Sequence, residues 1–267
     1  MILVFGKNGQ IATALRELLP DATFLSSQEA NFLNPQSVLE ALNKLKPQVV
    51  INASAYTAVD QAEQEQETAL TINATTPGVI AKWCCEHDAT MIHYSTDYVF
   101  SGEGDRPWLE TDPTNPVNWY GETKLRGEKA IQEAGCPAYI FRISWVYSPW
   151  GQNFPKTILR LAHERDELKI VNDQWGAPTD ARDVARLTSQ LAHNLEMKGE
   201  CPAPGIYHLR FEDFQTWYQF AQKIITDART AGLPLKVTQI SPVTSEEFPT
   251  TAKRPKNSRL GTTRPLL

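Results

Sequence analysis

The sequence predicts an α/β protein, a Rossmann-type doubly wound parallel sheet followed by a smaller C-terminal α/β substrate domain. Three observations carry this prediction. Short apolar runs alternate with amphipathic stretches through the first half of the 267 residues, the order that produces parallel strands joined by helical crossovers. A glycine-bearing turn, Gly6-Lys7-Asn8-Gly9, stands between the first apolar run and the first amphipathic stretch, where a doubly wound sheet receives a dinucleotide. After about Trp145 the alternation loosens, which places a dinucleotide-binding unit at 1–145 and a smaller unit at 146–267, with the chain free to cross between them.

Ile2 to Phe5 forms the first strand, and Ile11, Leu15, Leu18 and Leu19 recur at helical spacing after the turn. A short strand at Thr23 to Leu25 follows. Asn34-Pro35 starts a helix whose apolar face is Val38, Leu39, Leu42 and Leu45, because proline suits the first helical turn, where its missing N–H has no partner to lose. Val49 to Ile51 is a buried strand. Glu67 to His87 is helical, interrupted at Thr76-Pro77. Thr90 to Tyr94 is the next strand, Ser101 to Val117 a loop, Asn118 to Glu133 a helix and Ala138 to Ile143 a strand. Beyond Trp145, helices fall near Asn153 to Glu164, Thr179 to Leu195 and Gln215 to Ala231, with strands near Lys169 to Val171, Gly205 to Leu209 and Lys236 to Ile240.

Composition narrows the function. Hydrophobic residues at 41% and charged residues at 21% are ordinary globular usage, against a disordered or disulfide-scaffold chain. No apolar run approaches the roughly 20 residues that cross a bilayer. The five apolar residues before Gly6 have no basic stretch ahead of them and read as a strand rather than a secretory leader. Four cysteines without framework spacing fit a reducing cytoplasm. Lys plus Arg is 26 against 31 for Asp plus Glu, a net charge of −5, so no basic excess exists to hold nucleic acid. An anionic ligand must meet a local positive site.

The turn from Gly6 through Gly9, Gln10 and Ile11 to Ala12 lets backbone amides and a helix N-terminus approach a pyrophosphate. Where a ribose-binding acid is expected at the end of the second strand, the sequence reads Ser26-Ser27-Gln28. That pattern does not support an NAD-only preference, and Lys7 or a donor near Ser26 tolerates a 2′-phosphate. Tyr120 and Lys124 lie four apart on one helix face. A nearby cation favours the phenolate and draws the tyrosine toward the working range of a general acid. Thr96, at the end of the preceding strand, supplies a hydroxyl to polarise a carbonyl oxygen. A nucleotide cradle, a proton donor, a cation and an orienting hydroxyl together point to hydride transfer. Lys253, Arg254, Lys256, Arg259 and Arg264 follow the last acid, Glu247, as a solvated tail or as a ligand contact.

These residues resemble the extended short-chain dehydrogenase/reductase superfamily and, within it, the dTDP-4-dehydrorhamnose reductase family. The matching segments are GKNGQIA from Gly6, VINASAYTAVDQAE from Val50, INAT from Ile72, HYSTDYVFSGEGDRPWLETD from His93, YGETKLRGEKA from Tyr120, FRISWVYS from Phe141, VNDQWGAPT from Val171 and RPKNSRL from Arg254. They span nearly the whole chain.

The resemblance implies NADPH- or NADH-dependent reduction of the C4 ketone of dTDP-4-dehydro-L-rhamnose for cell-surface polysaccharide synthesis. It makes Tyr120 the proton donor, Lys124 its partner and a nicotinamide-ribose ligand, and Thr96 the hydroxyl on the substrate oxygen. It assigns Gly6, Gly9, Gln10, Ile11, Ala55, Tyr56, Thr57 and Tyr94 to the cofactor, and Thr96, Asp97 and Trp145 to the sugar nucleotide. Asn31-Phe32 stands where the family commonly has an aspartate on the adenine, so an amide takes that role. Arg254 and Arg259 would face the substrate diphosphate. The resemblance also implies a homodimer and, in some bacteria, magnesium held by glutamates at the dimer contact, to which no glutamate of this sequence is assigned. The family continues past the NSRL motif into a closing helix, and an end at Leu267 predicts weaker binding, lower stability or lost activity. A nucleotide-binding regulatory subunit and another nucleotide-sugar reductase or epimerase are the alternatives.

Overall fold

In the computed structural model, which describes residues 1–264 and 266, the first half builds its sheet in the expected order. The elements are β1 (Ile2–Phe5), α1 (Gln10–Leu18), β2 (Thr23–Leu25), α2 (Pro35–Leu45), β3 (Val49–Asn52), α3 (Val59–Ala62), α4 (Gln66–Leu70), α5 (Thr76–Glu86), β4 (Thr90–Thr96), α6 (Trp119–Ala134) and β5 (Ala138–Ile143). A single π turn, Thr71–Thr75, joins α4 to α5, so the interruption expected near Pro77 is a widened turn in a continuous rod. Five strands pair in parallel as β5-β4-β3-β1-β2.

The strands alternate their side chains between two cores, as the period of two requires. Ile2, Val4, Ile51, Ile92 and Phe141 pack on Leu15 of α1 and on Val184 and Leu191 of a later helix. Leu3, Phe5, Val50, Met91 and Ile140 pack on Val38 and Leu42 of α2, Ile80 of α5 and Ile131 of α6. Both sheet faces are covered, which is why these strands read as unbroken apolar runs.

The rest of the chain contains β6 (Val146–Tyr147), α7 (Phe154–Glu164), β7 (Glu167–Val171), β8 (Trp175–Gly176), β9 (Thr179–Asp180), α8 (Ala181–Glu196), β10 (Gly205–His208), β11 (Gln215–Thr216), α9 (Trp217–Thr230) and β12 (Gln239–Val243). The chain crosses back beyond Trp145. β10 adds a sixth parallel strand beside β5, and α8 supplies Val184 and Leu191 to the first core. The smaller lobe keeps α7, α9 and the parallel pair β7-β12 around Ile158, Leu168, Ile170, Ala221 and Ile225. The last strand begins three residues later than its sequence pattern suggests, at Gln239, because pairing with β7 sets its register.

Candidate active site

The carboxyl ends of β1, β3, β4 and β5 open onto one cleft of about 670 Å³. Gly9, Gln10, Ile11, Ala55, Thr57, Tyr94, Thr96, Asp97, Tyr120, Lys124 and Trp145 line it, so most of the expected site residues converge. Gly6 stands behind the turn at φ +86, where a Cβ would sit 2.6 Å from the Ala53 carbonyl oxygen. Only glycine meets both demands. Gly9 precedes α1 with no side-chain cap and no acidic residue in the first turn, leaving backbone N–H groups for an anion.

The chemical groups come from β4 and α6. The Asn118 side chain caps α6 by accepting from Gly121 N at 2.8 Å, and its amide donates to the Lys253 carbonyl at 2.8 Å. Two glycines let the helix press inward: a Cβ at Gly121 would overlap the Tyr98 carbonyl oxygen, and one at Gly127 would overlap that of Asn73. This approach buries Lys124, which is 2% exposed. Lys124 Nζ donates to the Tyr94 carbonyl at 2.6 Å and lies 3.3 Å from His93 Nε2. Burial lowers its pKa to about 8, against the pull of Glu128.

Tyr120 behaves differently from the sequence expectation. Its phenol is pushed up to about 12 by desolvation, against the neighbouring Thr96 hydroxyl. Lys124 does not draw it down, because Nζ is turned to the Tyr94 carbonyl and His93. The phenol therefore holds its proton at neutral pH, the state a donor to a ketone oxygen requires. Thr96 is 5% exposed; its hydroxyl donates to Asp97 Oδ1 at 3.1 Å and accepts from Tyr98 N at 3.2 Å. Asp97 is buried, its Oδ2 has no hydrogen-bond partner among the described residues, and burial raises its pKa to about 7.

Trp145 projects from a left-handed backbone, φ +49. Its ring stacks on Trp217 with centroids 3.5 Å apart, and a Cβ at Gly176 would come within 2.5 Å of that ring. The paired indoles form an apolar wall of the cleft. Trp217 was not expected in the site; as the first residue of α9 it reads as an ordinary apolar position, and only the fold brings it there.

Other expected residues fall elsewhere. Tyr56 does not line the cleft; Asn73, in the π turn, accepts from Tyr56 N at 2.9 Å and donates to its carbonyl at 3.0 Å. Phe32 is a core side chain, edge-on to Phe5, and Asn31 Oδ1 is engaged by Leu33 N at 3.0 Å; neither lines the cleft. Arg259 lies over the Trp175 ring and donates to Asn257 Oδ1 at 2.8 Å, and it does not line the cleft. Arg254 lines a second cleft of about 720 Å³ together with Ser101, Phe248, Lys253 and Lys256. Its Nη2 pairs with Asp60 Oδ2 at 2.7 Å, and its Nη1 is buried with no partner among the described residues.

The end of β2 also holds an acid that a fixed offset missed. Glu29 folds back to accept from Ser26 N and Oγ at 2.9 and 2.8 Å, with Lys7 Nζ at 3.9 Å. Among the described residues no group of three or more His, Cys, Asp or Glu side chains is placed to hold a metal ion. No helix among them is long and apolar enough to cross a membrane.

A parallel sheet with a glycine turn after β1, a threonine ending β4 and a Tyr/Lys pair on the next helix define the class, an extended short-chain dehydrogenase/reductase. A family model described as "RmlD substrate binding domain" matches residues 1–265, and the chain belongs to that family. It is 48% identical over 269 residues to the dTDP-4-dehydrorhamnose reductase of Escherichia coli K12, covering 98% of this chain and 89% of the relative. The Salmonella typhimurium enzyme of that name is also 48% identical, with 98% and 89% covered. A crystal structure of dTDP-4-dehydrorhamnose reductase from Bacillus anthracis, in complex with NADP, superimposes with a TM-score of 0.88 at 34% identity, covering 97% of this chain and 89% of that one.

Proposed function

We propose that the chain reduces the C4 ketone of dTDP-4-dehydro-L-rhamnose to dTDP-L-rhamnose, using NADPH or NADH. The observation that carries this reading is the convergence of Thr96, Tyr120 and Lys124 on one cleft with the glycine turn and the Trp145–Trp217 wall, in a chain 48% identical to reductases of that name. The cradle fits a dinucleotide: Gly6 has no room for a Cβ, and the uncapped N-terminus of α1 offers amides to the pyrophosphate. Gly9, Gln10, Ile11, Ala55, Thr57 and Tyr94 would hold it, with Tyr120 and Lys124 at its nicotinamide end. When bound, it supplies the hydride for the ketone carbon.

The chain's own groups then manage the oxygen. The Thr96 hydroxyl and the Tyr120 phenol sit side by side, and both can donate to the ketone oxygen. Tyr120 gives its proton as negative charge develops there, since its raised pKa keeps that proton available. Lys124, its Nζ held by the Tyr94 carbonyl, adds positive charge to the site as a whole while the ketone oxygen and the phenol exchange the proton. Trp145 and Trp217 present a flat apolar face to the sugar ring, and Asp97 a buried polar edge to its hydroxyls. Arg254, on the neighbouring cleft, would approach the diphosphate, with its unpartnered Nη1 the group for a charge-assisted bond. Glu29, beside Lys7 and Ser26 at the end of β2, would meet the adenosine ribose: the acid suits a 2′-hydroxyl and the lysine a 2′-phosphate, in keeping with use of either dinucleotide. The smaller lobe of α7, α9, β7 and β12 serves as the substrate unit, and the reaction belongs in the cytoplasm, where nucleotide sugars and reduced dinucleotides are both at hand.

The experiment is oxidation of NADPH and of NADH by the purified chain with dTDP-4-dehydro-L-rhamnose, with the product identified by NMR. Formation of dTDP-L-rhamnose supports the reading. Dinucleotide binding without turnover would shift it to a regulatory subunit.

A further inference from the structure

His93 lies wholly inside the protein, 0% exposed, directly behind Lys124 of the cleft wall, and the mechanism above leaves it idle. Its hydrogen-bond partners determine where its proton is. Asn52 Oδ1 accepts from Ser54 N at 3.0 Å, which turns the amide nitrogen, Nδ2, toward His93 Nδ1 at 3.0 Å. An amide nitrogen can only donate, so Nδ1 offers its lone pair. Burial and the neighbouring lysine keep the ring neutral, its pKa well below the usual histidine value, and the one remaining proton sits on Nε2. That nitrogen is 3.3 Å from Lys124 Nζ.

An amine has a lone pair to receive Nε2–H; an ammonium has none and sets donor against donor. Reversing the ring tautomer to relieve this would require the Asn52 amide to flip and forfeit its bond from Ser54 N. We propose that His93 is a positioning residue for the reaction: through its Nε2–H it weakens the hold of Lys124 on a third proton. The lysine is thereby an adjustable charge at the site rather than a fixed one.

The other groups around Lys124 do not cancel this effect. Glu128 on the same helix favours the charged form, yet it is bound by Arg142 of β5 at 2.6 Å and by Ser95 Oγ at 2.5 Å. Tyr120 on that helix keeps its proton. Asp97, at the end of β4, is held toward its neutral form by burial. The Tyr94 carbonyl accepts one Nζ–H in either protonation state.

The proposal rests on Lys124 being part of the catalytic site, and two readouts separate its failure from the failure of that assignment. The first is the 15N NMR tautomer of His93 in the unaltered chain from about pH 6 to about pH 9, assigned through backbone correlations. The expected result is a neutral ring protonated at Nε2 throughout; a proton at Nδ1 would overturn the proposal, whether or not the enzyme turns over any sugar. The second is the pH profile of kcat/KM in His93→Gln, whose side-chain carbonyl can accept from an ammonium. The high-pH limb, where activity falls as Lys124 loses its proton, is expected to move up by about one unit, a roughly tenfold gain in relative rate on that limb. A limb that stays in place in a folded variant, whatever happens to kcat, overturns it. Should His93→Gln not fold, the tautomer decides alone.

Discussion

The end of β4 and the loops after β12 both supply groups to ligand clefts, but they hold them in different ways. Thr96, Asp97 and Lys124 are 5%, 2% and 2% exposed and are fixed by a strand end, a capped helix and a double layer of hydrogen bonds. Arg254 and Lys253 sit on chain without regular structure, tied down by Asp60 and by the amide of Asn118. Groups whose protonation matters are buried, where the protein sets it. Groups that need only be positive remain on loops, where ion pairs with exposed partners are individually weak. The difference predicts that changes in the first region alter turnover or folding, and changes in the second alter affinity.

The largest expected effect is Tyr120→Phe, which removes the donated proton and is expected to lower kcat by about a thousandfold while leaving dinucleotide affinity within about twofold. Fluorescence titration with NADPH beside steady-state assays checks both halves. A parallel loss of binding would show that the buried region does not separate chemistry from affinity.

Gly127→Ala tests how far the close approach of α6 is needed. A methyl group there overlaps the Asn73 carbonyl, and the expected cost is about 3 kcal/mol of unfolding free energy. Gly232→Ala, at φ +77 with nothing within 4 Å, is expected to cost only about 1 kcal/mol. Urea midpoints of the two variants side by side give the comparison.

Asp97 gives the buried region a pH signature. Burial lifts its folded pKa to about 7, above the ordinary aspartate value of 3.8, so between those values the native chain binds more protons than the unfolded one. Stability then falls as pH rises from about 4 to about 7. Urea denaturation across that range should show the fall in the wild type and lose this component in Asp97→Asn, which is neutral at every pH. An identical slope in both would remove Asp97 as its source.

The halves of the molecule were also unequally legible in the sequence. β1 and the glycine turn could be read because a parallel strand buried on both faces leaves an unbroken apolar run and a turn at positive φ selects glycine. Tyr120, Lys124 and Thr96 were legible because helix spacing and strand ends put them on one side of the sheet. Trp217 was hidden, since nothing local to α9 reports that it stacks on Trp145. His93 and Asn52 look like strand positions, and their pairing across β3 and β4 exists only once the register is set. Glu29 escaped because the chain turns back on Ser26. The short pairs β6-β9 and β8-β11 are too brief for any periodicity, and β10 joined the main sheet from a stretch expected in the smaller unit.

The most direct test of the division between buried chemistry and loop-borne binding is the steady-state kinetics of Arg254→Ala with the sugar nucleotide varied. This division predicts a KM raised about tenfold with kcat within about twofold, and a change in KM below about threefold for Arg259→Ala, whose guanidinium is engaged by Asn257 and Trp175. A collapse of kcat in Arg254→Ala at unchanged KM would contradict it.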